Sequence, residues 1–241
     1  MAIFKCSFHN HTVLSPCGEI TMTPEVYLDV LQKIGIDWIS ITDHNSAKNV
    51  LVFSDILSKN GIKVIFGIEV QTIEEVHILV YFKNINELLE FSKKIEESLI
   101  IKKYDPEKLG YQILLNENGE FKKIIETPYY GSSSKYSIDN IYIMARKYET
   151  LIVPAHIFRS FGLIKQLGIP PKLEFDAVEV KSEKEMMKAK KLGFKRFIFG
   201  NDAHFPQELN MIACNVDASS RTFEELKKSI YNNKVIPIWQ R

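Results

Sequence analysis

Apolar runs of five to eight residues alternate along the chain with stretches whose apolar residues recur at spacings of three and four. The first pattern predicts strands and the second helices. Strands are expected at Ile3 to His9, Trp38 to Thr42, Lys63 to Val70, Val76 to Phe82, Leu151 to His156, Asp176 to Lys181 and Arg196 to Gly200. A helix separates the first two, with Thr23 as N-cap, Pro24 at its first position and Gly35 just past its end. Further helices are expected at 47–59, 85–100, 138–149, 183–192 and 222–233. The alternation predicts an α/β fold on largely parallel strands, and seven strands with interleaved helices favour a barrel-like closed sheet over an open one. Residues 102–135 break the rhythm. Tyr111 to Leu115 and Phe121 to Ile125 flank Asn116-Glu117-Asn118-Gly119, which predicts a hairpin, and Tyr129-Tyr130-Gly131-Ser132-Ser133-Ser134 follows. This stretch has too few apolar residues for its own core, so it is expected as an insertion beside the site within a single domain spanning 1–241.

Composition narrows the function. The chain is 45% hydrophobic, enough for a real core, and its 31 Lys plus Arg against 30 Asp plus Glu leave a net charge of +1. That balance removes the long-range field of a nucleic-acid-coating protein, so general nucleic-acid packaging is not expected and nucleic acid is not the favoured partner. No apolar run approaches the roughly 20 residues that span a bilayer, and the opening MAIFKCSFHNH lacks a signal-peptide pattern. A cytoplasmic protein without a membrane partner is expected. Three cysteines with no CxxC argue against a disulfide framework, and Cys6 and Cys214 read as core residues.

The histidines carry the strongest signal. All six lie at the edge of an expected strand, five at or just beyond its C-terminal end, which is where parallel α/β folds collect an active site. His9-Asn10-His11 places two imidazoles on one face of an extended segment, and Asn201-Asp202-Ala203-His204 repeats the spacing with a carboxylate. His44 leaves its strand in Thr42-Asp43-His44-Asn45. His77 begins its run instead of ending it; a hairpin over 64–82 centred near Ile73 would set it directly opposite Glu69. Cys17, in a Pro-Cys-Gly loop, is either a thiolate suited to zinc or ferrous iron or a small buried apolar residue.

These motifs, His9-Asn10-His11-Thr12, Thr42-Asp43-His44, Gly67-Ile68-Glu69, His156 and Asn201-Asp202-Ala203-His204, resemble in order and approximate spacing the polymerase-and-histidinol-phosphatase (PHP) superfamily. Ser15-Pro16-Cys17-Gly18, Asp43-His44-Asn45-Ser46 and Glu74-Glu75-Val76-His77 resemble one branch of its stand-alone members. The resemblance implies a distorted seven-stranded β/α barrel, TIM-like, with two to three divalent ions (Zn, Mn or Fe) at the strand C-terminal ends. Carried over by position, it implies a first metal among His9, His11, Glu69 and Asp202. It implies a second at Glu69, His77 and His156, and a third at His44, His204 and Cys17. Many relatives have Asp or His at the Cys17 position.

Closely spaced ions that generate a bridging hydroxide would attack a phosphomonoester or small phosphodiester, which makes the expected function a metal-dependent phosphoesterase with Glu69 and Asp202 central to catalysis. Arg159, three residues past His156 in a chain with five arginines, is a candidate phosphate fork or a solvated loop charge. Asn45 and Ser46 are further substrate donors, and Lys181, two past Glu179 on one strand face, is a weaker one. Asp43 is expected to orient a ligand from behind more than to serve as general acid. The competing readings are a metal-dependent amidohydrolase and a nuclease-like protein with a local basic groove around Lys102, Lys103, Lys122 and Lys123. No Walker loop, GxSxG elbow or GxGxxG turn supports nucleotide switching, serine hydrolysis or dinucleotide chemistry.

Overall fold

A computed structural model describes residues 2–239; Met1, Gln240 and Arg241, the ends of the expected 1–241 domain, lie outside the described residues. The chain runs through β1 (Ala2–Ser7), α1 (Pro24–Ile34), β2 (Trp38–Ile41), α2 (Val50–Lys59), β3 (Lys63–Gln71), β4 (His77–Phe82) and α3 (Ile85–Ser98). It continues through α4 (Pro106–Leu109), a hairpin of β5 (Ile113–Leu115) and β6 (Phe121–Ile124), α5 (Ile138–Ala145), β7 (Thr150–Pro154) and α6 (Leu163–Leu167). The last elements are β8 (Val178–Glu179), α7 (Glu183–Lys191), β9 (Phe197–Ile198), α8 (Pro206–Leu209), β10 (Cys214–Ala218), α9 (Phe223–Tyr231) and β11 (Val235–Pro237). Among the described residues no helix is long and apolar enough to cross a membrane.

Local chemistry explains the first helix. Pro24 supplies a helical φ without wasting an N–H, and Gly35 ends the helix in the left-handed region at φ 70°. Thr23 has the extended backbone of an N-cap, but its hydroxyl makes no cap hydrogen bond. Strand β2, Trp-Ile-Ser-Ile, is buried throughout because both sheet faces are covered. Trp38 packs edge-to-face on Phe8 at 5.4 Å, at the centre of a continuous apolar core.

Seven strands form one curled sheet in the order β11-β10-β1-β2-β3-β4-β7. β1, β2 and β3 are parallel, and β7 runs the same way because it and β3 both lie antiparallel to β4, the strand reversed by the hairpin expected over 64–82; β10 is antiparallel to β1. Only Thr72 to Val76 joins β3 to β4, far too short for a parallel crossover. The reversal brings the start of β4, and so His77, to the same end as the C-termini of its neighbours.

The β8–β9 pair completes the ring. Asp176 N donates to Ile152 O at 3.1 Å and Ile157 N to Glu179 O at 3.2 Å, tying the β8 segment to β7. Phe8 N donates to Phe199 O at 3.4 Å and Asp202 N to His9 O at 2.8 Å, tying the end of β9 to the end of β1. The result is a distorted TIM-like barrel of β1, β2, β3, β4, β7, β8 and β9, closed by separate hydrogen bonds instead of ladders. Strands β10 and β11 were not expected; they extend the sheet outside this ring.

Candidate metal centre

Glu69, near the end of β3, is fully buried and lies at the hub of five of the six histidines. Its Oε1 is 3.2 Å from His9 Nε2, 3.1 Å from His77 Nδ1 and 3.3 Å from His156 Nε2. Its Oε2 is 3.3 Å from His11 Nε2 and 3.0 Å from His44 Nδ1. Asp202 Oδ1 lies 3.2 Å from His9 Nε2 and 3.4 Å from His11 Nε2. His204 stacks on His11 at 4.1 Å between ring centres. The ligand atoms fall into three tight groups: His9, His11, Glu69 and Asp202; His44, Glu69 and His77; and His11, His44 and His204. The first is the set implied for the first metal. The other two differ from the implied sets, with His44 beside Glu69 and His77, and His11 taking the place given to Cys17.

The register of the β3–β4 hairpin corrects one expectation. Gln71 pairs with His77 and Glu69 with Leu79, so the turn centres one residue later than Ile73 and Glu69 is not directly opposite His77. The two meet diagonally, within reach of long side chains on one face.

What stands behind each imidazole fixes the nitrogen it presents. His9 Nδ1 donates to Glu179 Oε2 at 3.0 Å, leaving Nε2 for the centre. His11 Nδ1 donates to Ser15 Oγ at 3.0 Å, and that hydroxyl donates to Asp43 Oδ1 at 2.7 Å, again leaving Nε2. His204 Nδ1 donates to the Asp202 carbonyl at 2.8 Å. His77 is the reverse case: Nε2 points to Gln71 Oε1 at 3.4 Å and Nδ1 faces Glu69. Asp202 and His156 hold left-handed backbones at φ 59° and 27°, a strained conformation for both that gathers at functional sites. Gly200 permits the approach of β9, since a Cβ there would lie 2.3 Å from His9 Cβ.

Electrostatics divide the cluster. Burial disfavours charge on His9, but Glu69, Glu179 and Asp202 outweigh it and raise its pKa to about 10. Burial also disfavours charge on His44, which Cys17 and Glu69 overcome, raising its pKa. Burial lowers His77 to about 4 against the pull of Glu69. His204 is lowered to about 2 by burial and by His11 and His44. Glu69 is held well below the usual carboxylate range by His77, His9 and His44, despite burial.

Glu179, which sequence reasoning did not select as a functional residue, is fully buried and takes three donors. Besides His9 it accepts from His156 N at 2.9 Å and from Lys181 Nζ at 3.0 Å. A carboxylate inside the apolar run Ala177-Val178-Glu179-Val180 was the available signal, because such a charge needs a buried partner. Lys181 also donates to Gly200 O at 3.0 Å and lies 4.0 Å from Asp202 Oδ2.

The remaining expected residues separate into those at the cavity and those in its walls. Cys17 is exposed and lines, with Arg159, Phe161 and the histidines, a cavity of about 400 Å³ over the cluster. Arg159 is half-exposed and 3.6 Å from Glu185. Asp43 is fully buried, accepts from Thr12 N and both hydroxyls of Thr12 and Ser15, and lies behind His11. Asn45 and Ser46 do not reach substrate space. Asn45 donates to Tyr130 O and Ser132 O and accepts from Gln71 N, while Ser46 donates to Glu96, so both are scaffold that holds the 102–135 insertion and α3 against the barrel.

Fold and site together define a class, a distorted barrel with a His, Glu and Asp cluster suited to divalent ions at its strand ends. The chain belongs to the PHP domain family, whose model matches residues 7–236. The fold is similar to that of the lesion-specific endonuclease Q of Pyrococcus furiosus, with 20% identity and a TM-score of 0.71 over 97% of this chain and 58% of that one. The chain thus spans little more than half of that protein. It is also similar to a candidate metal-dependent phosphoesterase of Bifidobacterium adolescentis, with 15% identity and a TM-score of 0.55 over 95% of this chain and 96% of that one. An amidohydrolase of Chromobacterium violaceum, solved with bound sulfate and no metal, matches at 17% identity and a TM-score of 0.59 over 97% of this chain and 98% of that one. No curated protein matches the chain by sequence.

Proposed function

We propose that the chain is a metal-dependent phosphoesterase acting on a phosphomonoester or small phosphodiester. The observation that carries this is Glu69: five imidazole nitrogens lie 3.0–3.3 Å from its oxygens, yet neither oxygen accepts a well-formed hydrogen bond among the described residues. Cations placed among these atoms would satisfy the carboxylate and the facing imidazole lone pairs together, and the nitrogen and oxygen donor set suits zinc, manganese or iron. His9, His11, Glu69 and Asp202 would hold one ion, with Glu69 shared toward His44, His77 and His156; Cys17 stands beside His44 as a further ligand. Bound ions would supply Lewis acidity toward water and toward phosphoryl oxygens. The protein's own part is to present the lone pairs, through Glu179 behind His9 and through Asp43 and Ser15 behind His11. Arg159 at the cavity rim would fork onto the phosphoryl group, and Lys181 would add positive charge behind Asp202. The whole chain is read as one domain, with the hairpin insertion packed over the Cys17 loop.

A nuclease role is the second reading. Endonuclease Q has been solved with a 27-mer duplex carrying an abasic lesion at its active site, at 20% identity to this chain. Of the lysines considered for a groove, Lys102 donates to Glu97 O at 2.8 Å, and Lys122 and Lys123 lie exposed on β6. Elemental analysis of the purified protein, with a screen of phosphomonoesters, phosphodiesters, abasic duplex DNA and carboxamides, tests both readings. Metal-dependent turnover of small phosphoesters is expected. Cleavage confined to DNA would favour the second reading, and cleavage confined to carboxamides would make the chain an amidohydrolase.

A further inference from the structure

The imidazoles of the cluster are not held alike. Hydrogen bonds of 3.0, 3.0 and 2.8 Å stand behind His9, His11 and His204. Behind His77 the contact from Nε2 to Gln71 Oε1 is 3.4 Å, too long to anchor a ring that can rotate about two bonds. The cavity of about 400 Å³ beside it offers space to swing into, and a ring that swings away withdraws the Nδ1 that lies 3.1 Å from Glu69. Its orientation therefore rests on packing. Phe161 lies flat against it, with 4.8 Å between ring centres and 7° between planes.

Phe161 holds this place in a strained backbone. Its φ is 58°, a left-handed conformation that a bulky residue rarely adopts, and strain of this kind beside a candidate ligand points to function. Burial does not account for it, since the residue is 39% exposed. The main chain converges on the same target. Ala155 N donates to His77 O at 3.0 Å, and His77 N donates to Phe161 O at 2.8 Å. The loop between them carries His156, so it leaves β7 beside His77 and returns to close on His77. Gly162 permits the tight return, because a Cβ there would lie 2.4 Å from His156 O.

We propose that Phe161 is a positioning residue of the metal centre: its ring keeps the His77 imidazole turned to Glu69, and its loop ties His77 to His156. The inference rests on the reading of the cluster as a metal centre and is independent of the ester hydrolysed there. Zinc binding to the whole protein, measured by competition against a chromophoric chelator, is the first test. Phe161→Ala should weaken the ion held by Glu69 and His77 by about 2- to 12-fold, the worth of one aromatic stacking pair expressed as a lost competent fraction. The ion held by His9, His11 and Asp202 should change by less than about twofold. Phe161→Tyr, which keeps the ring, should restore most of the affinity. Phe161→Gly relieves the left-handed strain but has no ring, so it should bind as weakly as Phe161→Ala while unfolding at an equal or higher temperature. In a His77→Gln background, Phe161→Ala should have no further effect on the remaining ion, because no imidazole is left to hold. The second test needs no metal. In chelator-stripped protein with ring-labelled histidines, one imidazole signal, absent from His77→Gln, should lie upfield under the Phe161 ring current. It should move in Phe161→Ala and Phe161→Gly and stay in Phe161→Tyr. Undiminished affinity in Phe161→Gly would reduce the residue to a backbone turn, and an equal loss in the His77→Gln background would reduce it to general packing; either result overturns the proposal. Failure of the unsubstituted protein to bind zinc would overturn the metal reading and the proposal with it, whereas zinc binding indifferent to residue 161 overturns the proposal alone.

Discussion

Replacing Glu179 with Gln should weaken both the fold and metal binding, because no orientation of a carboxamide suits its three donors. His9 Nδ1, His156 N and Lys181 Nζ lie 3.0, 2.9 and 3.0 Å from its oxygens. If the amide oxygen stays with His9 and His156, the NH₂ meets the Lys181 ammonium, donor against donor. If it turns to Lys181, the NH₂ meets the His156 N–H and pushes the His9 proton onto Nε2, the nitrogen a metal requires. Either outcome loses at least one hydrogen bond to a charged group, about 1.5–3 kcal/mol, and unbalances a buried ion pair, about 3–5 kcal/mol when one partner is removed. Lys181 retains Gly200 O and the distant Asp202, which offsets part of this, so a loss of about 3 kcal/mol is expected. Urea unfolding in the presence of a chelator measures it. Competition against a chromophoric chelator should show metal affinity lowered roughly 10- to 100-fold. Lys181→Met should also destabilise, and the double variant should be more stable than the sum of the singles predicts, by about 1–3 kcal/mol. Additive energies together with unchanged metal affinity in Glu179→Gln would refute the argument.

Three further outcomes can be checked directly. Glu69→Gln should deplete two ions together in elemental analysis, since one carboxylate is shared between groups; loss of one alone contradicts the sharing. Arg159→Ala should lower phosphoester kcat/KM while leaving metal content unchanged, and equal activity would return Arg159 to the solvated rim. Cys17, exposed at the cavity, should react with a thiol reagent faster in metal-stripped protein than in the loaded form, and Cys17→Ser should weaken one ion selectively; equal labelling rates would remove it from the ligand set.

Much of the barrel was legible because each of its strands is a short apolar run bounded by turn residues. The histidines were legible because five of the six fall where those runs end and His77 falls where one begins. What was not legible has physical causes. The antiparallel hairpin of β3 and β4 was expected over 64–82, but its centre falls one residue later, because a turn position inferred from the symmetry of the flanking apolar runs does not contain the turn's backbone geometry. β10, Cys-Asn-Val-Asp-Ala, alternates buried and half-buried residues and forms by pairing along β1 on one side and β11 on the other, the first a long-range contact with no local signature. Asn45 and Ser46 were expected as substrate donors from their residue types. Their side chains instead bind the insertion and α3, which sequence neighbourhood could not reveal.

The closure of the ring has a mechanical consequence. Where the end of β9 meets the end of β1, Asp202 N holds His9 O at 2.8 Å and His11 N holds Ala203 O at 2.9 Å, with an isolated bridge from Asn10 to Ala203. The side chains that project from this junction are His9, His11, Asp202 and His204, so any ion they share straddles a seam of the barrel that no continuous ladder closes. Ion occupancy then acts as a clasp. Without it, two edges joined by a few amides can breathe apart, and their hydrogens should exchange with solvent well before those of the β2–β3 ladder. Losing the ions would then loosen the circumference of the ring as well as remove its chemistry.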